Sequence, residues 1–410
     1  CFFSSRCKMR LTALDFGFLG EVCGYYEIVD EKKRLVKKSE EQDTVLDHML
    51  RIMNWLLDKT DPRTGCIRVL FGDWNDALDG LGTSRDPDKE YGSGVSVMAA
   101  SQVWQNLNEM MALLSLLNAD KYSDTITDYS ERADRLAAGL QKYGIVYNDE
   151  GQARISHGWG DELSYHVGGW NDPDGVARRS LTSNAFWVLS GLYDRDTGLR
   201  GVIEKDILAL DSKYGLRTFE PHFEPDAKGV GRIPKLPAGT AENGAPYIHA
   251  SVFGVMALFR MGSPEAAWQE LIKSLPMTHD TISVSPYVMP NSYGYNPEKN
   301  VDGQSMMDWQ TGSSNVTLKL LVRFVAGVRP EYDGVWVQPA AYCPFGAFTA
   351  EVPVKGAVVR IRYKQTGAGK RRFTVDGEPA EGRYNDILKA QRLWIPANRL
   401  KGTIEVTVED

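Results

Sequence analysis

The period of the apolar residues constrains this chain most. From about Asp43 to Ser314 they recur every three or four positions, and beyond about Pro330 they alternate every second one. The first spacing places apolar side chains on one face of a helix, and such a face must be buried against other helices. Val45, Leu46, Met49, Leu50, Met53, Leu56 and Leu57 define the first of these helices, with Asp43 and Thr44 as caps and Asp61-Pro62 as the stop. A second helix is predicted from about Val95 to Leu117, and a third from about Tyr122 to Leu140 pairs with it as a hairpin. Further helices are expected near Asn184 to Tyr193, Val202 to Leu210, His249 to Arg260, Glu265 to Ser274 and Ser313 to Val328.

The second spacing belongs to strands. Gly334 to Gln338, Ala357 to Tyr363, Arg371 to Val375 and Thr403 to Val408 alternate in this way, with Gly367, Gly369, Asp376-Gly377 and Gly382 as turns. The expected fold class is therefore mainly α with a smaller all-β part. A helical domain over residues 1–330 would precede a C-terminal antiparallel β-sandwich over 331–410. Between the helices run long polar stretches rich in Gly, Trp, Tyr, Asp and Asn: Phe71 to Gly94, Ile155 to Ser180, Phe219 to Tyr247 and Ser283 to Thr311. Connections of about 20 residues are uncommon in compact domains and are usually functional where they persist. Helical hairpins joined by such loops suggest an α/α barrel with its site at the loop end; the plainer alternative is an irregular helical bundle.

Charge narrows the partners. With 47 Lys plus Arg against 54 Asp plus Glu, the net charge is −7, which makes a poor polyanion binder. Nucleic acid is not expected. The longest apolar run, near Met110 to Leu117, falls short of the ~20 residues a membrane-spanning helix needs, so no membrane partner is expected. Five cysteines, Cys1, Cys7, Cys23, Cys66 and Cys343, form no CxxC pair, so neither a disulfide framework nor a thiolate metal site is predicted. That usage fits a cytoplasmic location. The chain does not begin with Met, and Cys1 to Cys7 lacks the apolar core of a secretory signal, which reads as a chain cut from something longer.

Three segments carry chemistry. In Gly72-Asp73-Trp74-Asn75-Asp76-Ala77-Leu78-Asp79-Gly80, three carboxylates, an indole and an amide fall within seven residues. A sugar site needs this mixture: an aromatic face covers the C–H face of a pyranose, while Asp and Asn hold its hydroxyls. A shielded carboxyl group that stays protonated can then donate to a glycosidic oxygen. A turn-capping or cation-binding acidic loop has the same composition. The second segment, Thr240 to His249, leads into an apolar helix, and the third, Trp309-Gln310-Thr311-Gly312-Ser313-Ser314, also directly precedes one. Each helix start is either an anion site or an ordinary cap.

Together, Asp73-Trp74-Asn75-Asp76, Glu242-Asn243-Gly244 with His249, and Thr311-Gly312 resemble, in order and spacing, glycoside hydrolase family 94, the inverting β-glucoside phosphorylases. Ser183 to Gly191, Tyr214-Gly215-Leu216 and Gly327-Val328-Arg329-Pro330 running into Asp333-Gly334 agree with it. The resemblance implies an (α/α)6 barrel, here incomplete at its N-terminal side, followed by the β-sandwich. It implies Asp76 as general acid, and Asp73, Trp74, Asn75, Glu242, Asn243, Gly244 and Tyr247 as substrate-binding residues. His249, Thr311 and Gly312 would bind inorganic phosphate, the co-substrate; no other cofactor and no metal is implied. An oligosaccharide is the second partner, and a homodimer is expected of the full-length protein.

The implied reaction is phosphorolysis of a β-linked gluco-oligosaccharide, such as a cellobiose-like disaccharide, to an α-sugar 1-phosphate and a shortened sugar. A hydrolase needs a base carboxylate to activate water, whereas phosphate is already an anion and needs only positioning. Two alternatives stay open: an inverting hydrolase, with Glu242 or Asp161 as base, and a catalytically silent sugar-binding protein. Gly94-Val95-Ser96 lacks a Glu usual in the family, Ser285-Pro286-Tyr287 lacks another, and Ala241 stands where cellobiose-cleaving members carry Lys. These departures imply altered acceptor recognition.

Overall fold

A computed structural model describes residues 16–30, 32–70, 74–75, 78, 81, 92–280, 285–306, 312–367 and 370–410. It opens with a hairpin of β1 (Val22–Asp30) and β2 (Leu35–Thr44), which runs into α1 (Val45–Leu57). Thr44 caps α1 as expected. Its hydroxyl accepts the Asp47 N–H at 3.2 Å, and the Asp47 carboxylate accepts the Thr44 N–H at 3.3 Å, a reciprocal pair that satisfies two orphan donors. Leu46, Met49, Met53, Leu56 and Leu57 are the buried face. The hairpin has no counterpart in the sequence reading, because its apolar residues, among them Tyr26, Ile28, Val29 and Val36, are exposed and follow no clean alternation. Tyr25 stacks on His48 of α1 at 4.0 Å and receives Arg51 over its ring at 4.4 Å, which anchors one face.

The remaining helices are α2 (Val97–Asn118), α3 (Ser123–Gly139), α4 (Leu181–Leu189), α5 (Arg200–Leu208), α6 (Ile248–Met261), α7 (Pro264–Ser274) and α8 (Ser313–Leu320). α2 packs on α3 and α4, α4 on α6, and α6 on α7 and α8, around one continuous apolar core. α6 is apolar nearly all round and has eleven buried residues, as a helix at the centre of such a core must. α8 is shorter than predicted. It ends at Leu320 and widens into a π-type turn over Leu321–Val325, and the chain is already extended at Val328. None of the described helices is long and apolar enough to cross a membrane.

Two of the long loops have internal structure that fixes the helix starts. In the last one, β3 (Ser292–Asn296) and β4 (Val301–Met306) form an antiparallel hairpin. Its first strand runs beside the turn before α6, with the Ile248 N–H donating to the Asn291 carbonyl at 2.9 Å and the Tyr293 N–H to that of Pro246 at 3.1 Å. The loop after Ile155 is tied to the one after Phe219 by Arg178, which is 1% exposed. Its guanidinium donates to Asp174 at 2.7 Å, Asp172 at 3.3 Å and the His222 carbonyl at 3.1 Å, and lies 4.0 Å over Phe223. A buried cation with this many partners holds both loops in place.

Beyond α8 the chain is all β: β5 (Val328–Pro330), β6 (Gly334–Val337), β7 (Ala347–Val354), β8 (Ala357–Lys364), β9 (Arg372–Val375), β10 (Glu378–Ala380), β11 (Arg383–Asn385), β12 (Ala390–Pro396) and β13 (Thr403–Glu409). They form a four-stranded sheet, β5-β6-β12-β11, and a five-stranded one, β7-β8-β13-β9-β10. Val335, Val337, Leu393 and Ile395 of the first share an apolar cluster with Val359, Ile361, Val375, Val406 and Val408 of the second. One expectation is corrected: β8 and β13 pair in parallel, Val358 against Thr403 through Lys364 against Glu409, so the larger sheet is mixed and not antiparallel throughout. Alternation tells which face of a strand is buried, but not its direction.

Candidate active site

The starts of α6 and α8 meet. His249 is the second residue of α6, and Gly312 is the cap residue of α8. A methyl group on Gly312 would lie 3.5 Å from His249 Cε1 and 3.8 Å from Nδ1, so the α8 backbone faces the imidazole directly. Among the described residues neither start shows a side-chain cap, unlike α1 and α2, which Thr44 and Ser96 cap. A helix start favours an anion, although the first N–H of α6, that of Ile248, is already given to the Asn291 carbonyl.

Trp74 closes the other side. Its ring stands edge-on to Tyr247 at 4.9 Å, to His249 at 5.9 Å and to Phe253 at 6.3 Å. Three segments that are distant in sequence therefore converge: the Trp74 loop, the start of α6 and the start of α8. Phe253, which the sequence reading did not single out, is one turn beyond His249 and 4.8 Å from its ring, a spacing that the helix period makes legible. His249 and Phe253 also line a cavity of about 890 Å³ bounded by α2, α4, α6 and α8, where Lys319 and Arg323 contribute cations.

Burial holds the His249 imidazole below its ordinary pKa, and the Lys319 ammonium lowers it further. The ring is thus neutral at pH 7, with one N–H to give and one lone pair to accept. Asn75 is 2% exposed, and its Oδ1 has no partner among the described residues. A buried acceptor without a donor is costly, and a ligand hydroxyl is one group that would relieve it.

Glu242 is half-buried and its carbonyl accepts the Thr218 hydroxyl at 2.7 Å. Gly244 has φ +82 and approaches His222 so closely that a Cβ would sit 2.9 Å from that side chain; only glycine fits this turn. Asn243 has partners within the chain. It is 0% exposed, its Oδ1 accepts the Phe223 N–H at 2.7 Å, and its Nδ2 donates to the Phe223 and Leu236 carbonyls at 2.9 Å each. Its amide bonds the backbone of the preceding loop and so shapes the turn. Asp73, Asp76 and Thr311 lie outside the described residues.

Asp161, one of two carboxylates available to a hydrolase as base, has a structural task. Its Oδ1 accepts the backbone N–H groups of Ser93 and of Gly94, the latter at 3.1 Å, and so fastens the end of the long loop that leads into α2. Asp161→Ala is expected to cost about 2 kcal/mol of stability, on the order of two charge-assisted bonds to a half-exposed acceptor. Denaturant titration would measure this. Unchanged stability with abolished turnover would return Asp161 to a chemical role.

The loops of the helical body thus bring an indole, a phenol and an imidazole together beside two helix starts. Residues 20–327 match the glycosyl hydrolase 94 superfamily catalytic domain, and the chain belongs to that family. It is 25% identical over 385 residues to solabiose phosphorylase of Paenibacillus borealis, covering 90% of this chain and 45% of that protein. It is 24% identical over 354 residues to N,N'-diacetylchitobiose phosphorylase of Vibrio proteolyticus, covering 83% and 40%. Cyclic beta-(1,2)-glucan synthase NdvB of Rhizobium meliloti matches at 25% over 368 residues, 86% of this chain and 12% of that one. The chain thus spans less than half the length of these relatives.

Proposed function

We propose that this chain is the core of an inverting phosphorylase that cleaves a β-linked gluco-oligosaccharide with inorganic phosphate. The products would be an α-sugar 1-phosphate and a shortened sugar. The observation that carries the reading is the meeting of His249 with the Gly312 helix start beside Trp74. Phosphate held by first-turn N–H groups and the imidazole would lie against the sugar that the indole covers. Asp76, two residues beyond Trp74, would protonate the leaving oxygen. The relatives named phosphorylases act on different disaccharides, which supports the reaction class and leaves the sugar open. The helices would belong to an (α/α)6 barrel over residues 1–330, and the two sheets to a C-terminal sandwich over 331–410.

For the hydrolase reading, Asp161 is the weaker of the two bases, because its Oδ1 is engaged by backbone N–H groups; Glu242 stays the other. The deciding assay offers the complete protein a panel of β-disaccharides with and without phosphate. Sugar 1-phosphate is expected to form only when phosphate is present. Equal cleavage in its absence, with free sugar as the product, would overturn the proposal.

A further inference from the structure

We infer that Phe253 is a positioning residue whose ring, in place of a hydrogen bond, holds the plane of the His249 imidazole at the phosphate site proposed above, on which the inference rests. No described residue hydrogen-bonds either nitrogen of that imidazole. A histidine at work in a site is ordinarily oriented by a bond to one of its two nitrogens. On a helix χ1 is confined to two wells, but χ2 is broad, so without such a bond packing must set the plane of the ring. Trp74 stands edge-on to it at 5.9 Å and 87°, and Gly312 faces its Cε1–Nδ1 edge. Phe253 is the nearer of the two rings, tilted by 46° with its centroid 4.8 Å away. It lies one turn on along α6, where side chains four apart meet. Phe253 is itself anchored. Its ring packs edge-on against Phe186 of α4 at 4.9 Å and 79°, and Phe186 is only 7% exposed. α4 thus sets where Phe253 stands, and Phe253 sets how the imidazole is turned. A leucine would fill much of the same space without a flat face, and the imidazole would then be free to turn about χ2.

The test compares Phe253→Leu, Phe253→Tyr, His249→Ala and the Phe253→Leu, His249→Ala double variant in the complete protein. Phe253→Met, which refills the space flexibly, takes the place of Phe253→Leu if that variant does not fold. Calorimetric titration with inorganic phosphate reads affinity without turnover. Phe253→Leu is expected to weaken phosphate binding by about two- to tenfold, the worth of one aromatic pair. Phe253→Tyr keeps the ring, and residue 253 borders the cavity, so a hydroxyl is tolerated and affinity should stay within about twofold. In the double variant the leucine should add nothing to His249→Ala, because Phe253 acts only through the imidazole. Proton NMR reads the ring contact itself. The ring-current displacement of the His249 Cε1 proton should be lost in Phe253→Leu and kept in Phe253→Tyr. Unchanged phosphate affinity in Phe253→Leu, an equal loss in Phe253→Tyr, or additive losses in the double variant would each overturn the inference. If the wild-type protein binds no phosphate while the His249 signal still follows the ring at position 253, the phosphate reading fails and the positioning role stands.

Discussion

Replacing Asp76 by Asn is expected to lower turnover by roughly 10²–10⁴ while leaving the fold intact, the usual loss when a positioned proton donor is removed. Asp76 directly follows Trp74 and Asn75 in the sequence; Asn75 is buried and Trp74 stands against Tyr247. A general acid must stay protonated, which a shielded carboxyl group does more readily than one in water. Asp79→Asn serves as the control and should be far milder. Activity toward a substrate with a good leaving group, such as an aryl glycoside, should be partly spared in Asp76→Asn, since such a leaving group needs little protonation. Equal losses from both changes would sink the assignment.

The second large effect concerns phosphate. Gly312→Ala adds a methyl group in ordinary contact with the imidazole, 3.5 Å from Cε1, at a position whose φ of −79 any residue tolerates. Stability should therefore hold, while the gap between His249 and the α8 backbone narrows. His249→Ala and Thr311→Ala each remove a donor and should weaken phosphate binding by about 0.5–3 kcal/mol. Apparent phosphate affinity is expected to fall in all three variants, and sugar affinity to change little. In the empty site burial and Lys319 lower the His249 pKa, and a bound phosphate anion would push it back up. A fall in stability with phosphate affinity untouched would make these residues helix caps.

The helical half of the fold was legible because burial writes a period into the sequence. α1, with Thr44 as its cap, and α2 followed by α3 were read within a few residues of their observed bounds. What burial does not write was missed. The β1–β2 hairpin is exposed along most of its length, so its residues obey no apolar rhythm. The parallel partnership of β8 and β13 depends on chain direction, on which alternation is silent. At the site, Gly312 lies beside His249, so that a methyl group on it would be 3.5 Å from the ring. The bonds of the Asn243 amide to the preceding loop were not legible, because an Asn beside a Glu and a Gly looks the same in sequence whether its amide faces a ligand or a loop. Phe253 was overlooked for another reason: it belongs to no dense polar motif, and its place in the site lies in what it touches.

The convergence of Trp74, His249 and Gly312 also governs how the chain and its ligands share free energy. These residues come from three distant stretches joined only by the packed core, so the site vanishes when any one stretch peels away. A ligand that bridges them binds only molecules in which all three are docked, and mass action then penalises every partly opened form along with the unfolded chain. Occupancy would thus raise the cooperativity of the whole helical body, not merely its melting point. The substrates become long-range cross-links, holding together regions that the order of the sequence keeps apart.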